Sequence, residues 1–257
     1  MQEFASVVFS VMNGIPYLLN RNTWRDAADS HYMAFAVRAY PWVGMNCWLW
    51  SAVFHARDTW LTERLDYHCA TLMVVYSLFL GLVRTVPLAT ARAQRRLAVV
   101  VFGAMALHIA YMNIVKFDYG ACGPLGYHWA QLTCSVCVGW NMAVSVAAVV
   151  INFAVWLVHC WRHWRPYTWK CLLVALGTIS AGLLEVLDFP PVWGRLLDAH
   201  SLWHASTVPL GFLWYARGWE GRLRGNSLTK FACVHLRWGF LSDDLSWDRR
   251  VGNKLDE

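Results

Sequence analysis

Apolar residues in this chain are gathered into long blocks separated by short polar segments. They do not form the one-sided stripe of a water-soluble helix. The blocks predict helices at 4–20, 38–55, 66–86, 97–115, 129–159, 169–187 and 199–217. Blocks of about 20 residues match the thickness of a bilayer core. The expected fold is therefore all-α, a polytopic membrane protein built as a seven-transmembrane helix bundle over residues 1–217, with a polar C-terminal tail at 218–257. The first block is short and is interrupted by Asn13, Gly14 and Pro16. The fifth is longer than one span and should tilt or protrude. Trp42, Tyr127, Trp129, Trp164 and Trp193 fall at block ends, as residues of an interfacial belt do.

Composition strengthens the membrane reading. Of 257 residues, 58% are hydrophobic and only 15% charged, against about a quarter charged in soluble domains. Most cysteines, including Cys47, Cys69, Cys160, Cys171 and the Cys134/Cys137 CxxC pair, lie inside apolar blocks. They read as buried small hydrophobes rather than redox or metal groups. No cleavable signal peptide pattern is recognised at the start.

The net charge of +6 changes meaning once its distribution is considered. Arg21, Arg25, Arg84, Arg92, Arg95, Arg96, Arg162, Arg165 and Lys170 follow the first, third and fifth helices, and Arg222, Arg224 and Lys230 lie in the tail. The segments on the other face mix signs: Arg57, Asp58, Glu63, Arg64, Lys116, Asp118, Glu185, Asp188, Arg195 and Asp198. The basic face is expected to be cytoplasmic, together with the C-terminus, and the mixed face lumenal or extracellular. The charge thus reads as topology, and no nucleic-acid partner is expected.

Polar groups inside membrane helices are costly and mark function by default. Ser51 and His55 stand four apart at the end of the second helix, Asp66 opens the third, and His200 and His204 stand four apart at the start of the seventh. Four-residue spacing places each pair on one helix face, and the topology brings all five to the lumenal face. Three neutral imidazoles with one open position form the ligand set of a catalytic zinc site. Asp66 would move a proton or orient a ligand, and Ser51 would hydrogen-bond the developing oxyanion or the zinc-bound water. Taken singly, the features are bland. Interfacial histidines bond backbone, serine bonds its own helix, and Asp66 could cap the third helix as Asp198 could cap the seventh. His108, His128, His159 and His163 do not converge and read as packing or interfacial residues.

Three long segments carry a resemblance: NCWLWSAVFHARDTWLTERLDYHCA (Asn46–Ala70), HIAYMNIVKFDYG (His108–Gly120) and LLEVLDFPPVWGRLLDAHSLWHASTVPL (Leu183–Leu210). They resemble the post-GPI-attachment-to-proteins factor 3 family of the CREST superfamily of membrane hydrolases, whose other members include alkaline ceramidases and progestin and adipoQ receptors. The similarity runs over most of residues 1–217. The superfamily pattern of SxxxH, Asp and HxxxH is matched by Ser51, His55, Asp66, His200 and His204. The resemblance implies a zinc-dependent phospholipase A2 that removes the sn-2 acyl chain from protein-linked GPI lipid in the Golgi or endoplasmic reticulum. Its substrates would be GPI-anchored proteins in the membrane, and its active site lumenal. Members usually begin with a signal peptide and a lumenal Cys-containing region, whereas this sequence starts almost at the first helix.

The expected mechanism is sideways entry of the lipid and attack of zinc-bound hydroxide on the ester. Ser51 would steady the tetrahedral intermediate, and Asp66 would pass the proton to the leaving hydroxyl. The rival readings are a ceramidase-like amide hydrolase, a lipid-binding receptor with structural zinc, and a zinc or proton carrier. Glu185 and Asp188 have no assigned role beyond a lumenal loop or cap.

Overall fold

A computed structural model describes residues 3–22, 33–86, 90–115, 139–187, 189 and 197–215. Every regular element among them is a helix: α1 (Phe4–Asn20), α2 (Ala34–Ala56), α3 (Trp60–Thr85), α4 (Ala91–Ile114), α5 (Trp140–Arg162), α6 (Thr168–Leu187) and α7 (Ala199–Tyr215). The CxxC pair Cys134/Cys137, His128, Tyr127, Trp129, Trp193, Asp188 and the tail at 218–257 lie outside the described residues, as does the first part of the fifth predicted helix.

Three helices, α3, α4 and α5, are long and apolar enough to cross a membrane, and α1 and α6 are shorter apolar helices. The sequence reading expected seven spans. The helices that fall short of a plain hydropathy test include α2 and α7, which carry Ser51, His55, His200 and His204.

Several boundaries differ from expectation. α3 starts at Trp60 rather than at 66, so Asp66 neither opens nor caps it but sits in its second turn. Thr59 and Thr62 manage that end: the Thr62 amide donates to Thr59 Oγ1 (3.2 Å) and the Thr59 amide to Thr62 Oγ1 (2.9 Å). α2 starts at Ala34 rather than 38, and α4 at Ala91 rather than 97. Thr90 caps α4 by accepting from the Ala93 amide at 3.2 Å, which places Arg92, Arg95 and Arg96 on the helix rather than in a loop. Hydropathy marks only the hydrocarbon-length part of a helix. Arginine and glutamate are good helix formers that carry the helix on past it.

The chain divides into two compact units. In the first, residues 1–66 with 157–257, α1 packs against α2 and α7, and α7 packs against α6. α1 is inverted relative to a soluble amphipathic helix. Ser6, Ser10, Asn13, Tyr17 and Asn20 are buried, whereas Phe4, Val8, Val11, Met12, Ile15, Leu18 and Leu19 are exposed. Outward apolar and inward polar groups suit a helix whose solvent is lipid. The helix runs through Asn13, Gly14 and Pro16 without a break. The Asn13 and Asn20 amides donate back to the Phe9 and Pro16 carbonyls at 2.9 and 2.7 Å, so neither side chain is left unsatisfied in the interior. Tyr17 lies directly over Gly44 of α2, and its ring meets Tyr40 edge-on at 5.8 Å.

The second unit, residues 67–156, contains most of α3, α4 and α5. Tyr76, Phe79 and Phe102 form an aromatic cluster with ring centroids 5.3–6.0 Å apart. His108 is buried and pairs its Nε2 with Asn141 Oδ1 at 3.0 Å, consistent with a packing role.

Candidate metal centre

The first unit builds its site from the ends of three helices. Ser51 and His55, one turn apart near the end of α2, are both 4% exposed. α7 begins with a reciprocal cap: the Ser201 amide donates to Asp198 Oδ1 (2.7 Å) and the Asp198 amide to Ser201 Oγ (2.9 Å). Asp198 thus caps this helix, as the sequence suggests. Burial raises its carboxyl, but the Ser201 donors and the nearby His200 together outweigh burial and hold it below the usual aspartate range. The cap fixes where α7 starts, and so aims His200 and His204 one turn apart along the same face.

The three imidazoles meet. His200 Nε2 lies 3.3 Å from His55 Nε2, His204 Nε2 lies 3.1 Å from His55 Nε2, and the two α7 nitrogens are 3.0 Å apart. Hydrogen bonds alone cannot hold such a triangle. A neutral ring nitrogen either donates or accepts, so among three mutually adjacent nitrogens at least one pair must set two lone pairs or two protons face to face. A cation at the centre removes the conflict. Four ligands at about 2.0–2.1 Å in tetrahedral array would sit roughly 3.3 Å apart, close to the separations seen. His55, His200 and His204 are the residues that could hold a metal ion among those described.

Around the triangle lies a polar inner layer. Asp66 accepts a hydrogen bond from Ser51 and lies within electrostatic reach of His55 and His200. Ser51 Oγ is 3.1 Å from Ser10 Oγ of α1. Since Ser51 donates to Asp66, Ser10 is left to donate to Ser51, which gives the chain Ser10–Ser51–Asp66 one direction. Asn13 Nδ2 donates to the His204 carbonyl at 2.8 Å. Glu3, just ahead of α1, places Oε2 2.6 Å from His55 Nδ1, and its amide donates to the His55 carbonyl at 3.2 Å. That His55 hydrogen bond, acting against partial burial, holds the Glu3 carboxyl below the usual glutamate range. Trp203 and Trp48 flank His204 with ring centroids at 4.6 and 5.7 Å, and Phe54 lies 5.1 Å from His55.

All five residues singled out from the sequence, Ser51, His55, Asp66, His200 and His204, are therefore in one place. Glu3, Ser10, Asn13, Trp48 and Trp203 are additions that sequence reading missed. The spacing Ser6, Ser10, Asn13, Asn20 on an apolar helix is the signal that could have found the α1 contribution.

The Per1-like family matches residues 1–122 and 121–217. Among curated relatives, the GPI-specific phospholipase A2-like PGAP3 of Bos taurus is 39% identical over 220 residues, covering 84% of this chain and 62% of the relative. The protein of the same name from Danio rerio is 38% identical over 218 residues, covering 84% and 63%. The Post-GPI attachment to proteins factor 3 of Drosophila melanogaster is 35% identical over 219 residues, covering 84% and 61%. The chain thus spans somewhat under two thirds of the length of these relatives. No solved structure matches it. With both segments of the family pattern running in order from the first helix to the last, the chain belongs to the Per1-like family.

Proposed function

We propose that this protein is an intramembrane, zinc-dependent phospholipase of the A2 type that removes the sn-2 acyl chain from the GPI lipid of anchored proteins. The observation that carries the reading is the triangle of imidazole nitrogens with Ser51 and Asp66 hydrogen-bonded beside it. The names of the relatives supply the substrate class. All seven described helices would span the bilayer, with the centre at the lumenal end and the C-terminal tail in the cytoplasm of a Golgi or endoplasmic reticulum membrane.

His55, His200 and His204 would be the protein ligands. Zinc held there would supply a Lewis acid and would acidify water toward neutrality. The reaction is hydrolysis: a water oxygen bonds to the sn-2 carbonyl carbon, the acyl–oxygen bond breaks, and fatty acid and lyso-GPI leave. Asp66 takes the proton from the attacking water and delivers it to the departing lipid oxygen. Once Asp66 has taken up the water proton it no longer needs the one Ser51 donates, and Ser51, still accepting from Ser10, turns its hydroxyl toward the negative charge that develops on the carbonyl oxygen. Trp48, Trp203 and Phe54 keep bulk water away, so these polar contacts act in a low-dielectric surround.

The test is metal content and turnover of labelled GPI lipid by purified protein, with ceramide as the competing substrate. His200→Ala should lose both zinc and turnover. Asp66→Asn should keep zinc and lose turnover by about 100-fold or more, the scale of a positioned acid–base group. Undiminished turnover in His200→Ala defeats the proposal, and preferential cleavage of ceramide redirects it to amide hydrolysis.

A further inference from the structure

Glu3 approaches His55 twice, through its amide to the His55 carbonyl and through Oε2 to the ring Nδ1 at 2.6 Å. A carboxylate at that distance requires Nδ1 to carry the proton. The proton count of a neutral imidazole then leaves Nε2 with its lone pair, pointing into the triangle. The backbone contact sets where the carboxylate stands, and the carboxylate sets the tautomer and rotation of the ring. His55 is the ligand for which this matters most. It is the only one of the three from α2, so no neighbouring ligand on its own helix fixes its direction. His204, by contrast, shares a helix with His200 and is flanked by Trp203 and Trp48.

We infer that Glu3 is a positioning residue of the metal centre: it fixes the His55 tautomer and raises the affinity of the site for zinc without itself touching metal or substrate. The inference rests on the three histidines being zinc ligands. Carboxylates in this position behind a ligand histidine change metal affinity by about 10–100-fold when removed. Asp66 does not fill the place, because its hydrogen bond goes to Ser51.

The experiment uses the full chain in detergent micelles. It reads the zinc dissociation constant by chelator competition, the absorption spectrum of the cobalt-loaded protein, and thermal unfolding with and without zinc. Glu3→Ala should weaken zinc binding by about 10–100-fold and shift the cobalt spectrum, with unfolding of the metal-free protein unchanged. Glu3→Gln keeps an acceptor for the Nδ1 proton and should recover much of the affinity. Two results overturn the inference: zinc binding by Glu3→Ala as tight as wild type, or an equal fall in stability with and without zinc, which would make Glu3 a simple brace between α1 and α2. Failure of the underlying reading looks different: wild type and His200→Ala would then bind zinc alike, whatever Glu3 does.

Discussion

Ser51 has two neighbours and can satisfy both only one way round, accepting from Ser10 and donating to Asp66. Removing either serine therefore has a different expected cost. Ser51→Ala deletes the proposed oxyanion donor, and should lower turnover by about 100-fold, the scale of such a group. Ser10→Ala deletes only the donor that orients it. An ordinary hydrogen bond has a net worth of about 1 kcal/mol, so turnover should fall by about fivefold with zinc content unchanged. Steady-state kinetics on GPI lipid separates the two, and equal losses would place Ser10 against the substrate as well. The three clustered histidines are legible in the sequence, because HxxxH and SxxxH each declare a helix face and the topology puts both faces at one end. Glu3, Ser10 and Asn13 are not. A glutamate before an apolar block and a serine within one are ordinary there, and only the packing of α1 against α2 and α7 gives them partners.

Helices carry their own lesson. The positions of the elements are readable from apolar blocks, but their ends are not, since α3 and α4 both run outward for about six residues beyond the apolar stretch. For α3 the difference reaches the chemistry. Asp66 is held by helical backbone on both sides, which keeps its carboxyl aimed more rigidly than a fraying cap would. Contact between α1 and α2 depends on Gly44, where an added Cβ would run into the Tyr17 ring, whereas at Gly14 it would meet Trp48 Cβ at an ordinary 3.6 Å. Gly44→Ala should therefore destabilise the protein by about 1–3 kcal/mol, as overpacking does. Gly14→Ala should be neutral or slightly stabilising, because alanine is the better helix former by about 1 kcal/mol. Unfolding in detergent micelles, followed by circular dichroism, reads both. A loss at Gly14 equal to that at Gly44 would show that the contact is not steric.

On the scale of the whole molecule, the charge distribution and the position of the histidines make the proposed orientation testable. The α2–α3 turn carries Asp58 and lies at the end of its unit that holds the histidines, and the α5–α6 turn carries His163 at the basic end. In sealed vesicles of endoplasmic reticulum, a membrane-impermeant thiol reagent should reach Asp58→Cys only after the membrane is opened, and His163→Cys beforehand. The reverse pattern would invert the topology. What the sequence hides at this scale is how the first and last helices meet, since no periodicity encodes which blocks are neighbours.

That meeting governs when the histidine triangle can first assemble. During synthesis α1 is made long before α7, and its serine and asparagine face is then without the partner that later covers it. His55 likewise waits for the two imidazoles that complete its triangle. Under the proposed function, chemistry is thus withheld until α7 is in place, and a chain halted before residue 199 would lack two of the three imidazoles. If the chain is the hydrolase proposed above, drawing its working parts from helices as far apart in sequence as α1 and α7 is by itself a safeguard against attacking the bilayer while the protein is still being made.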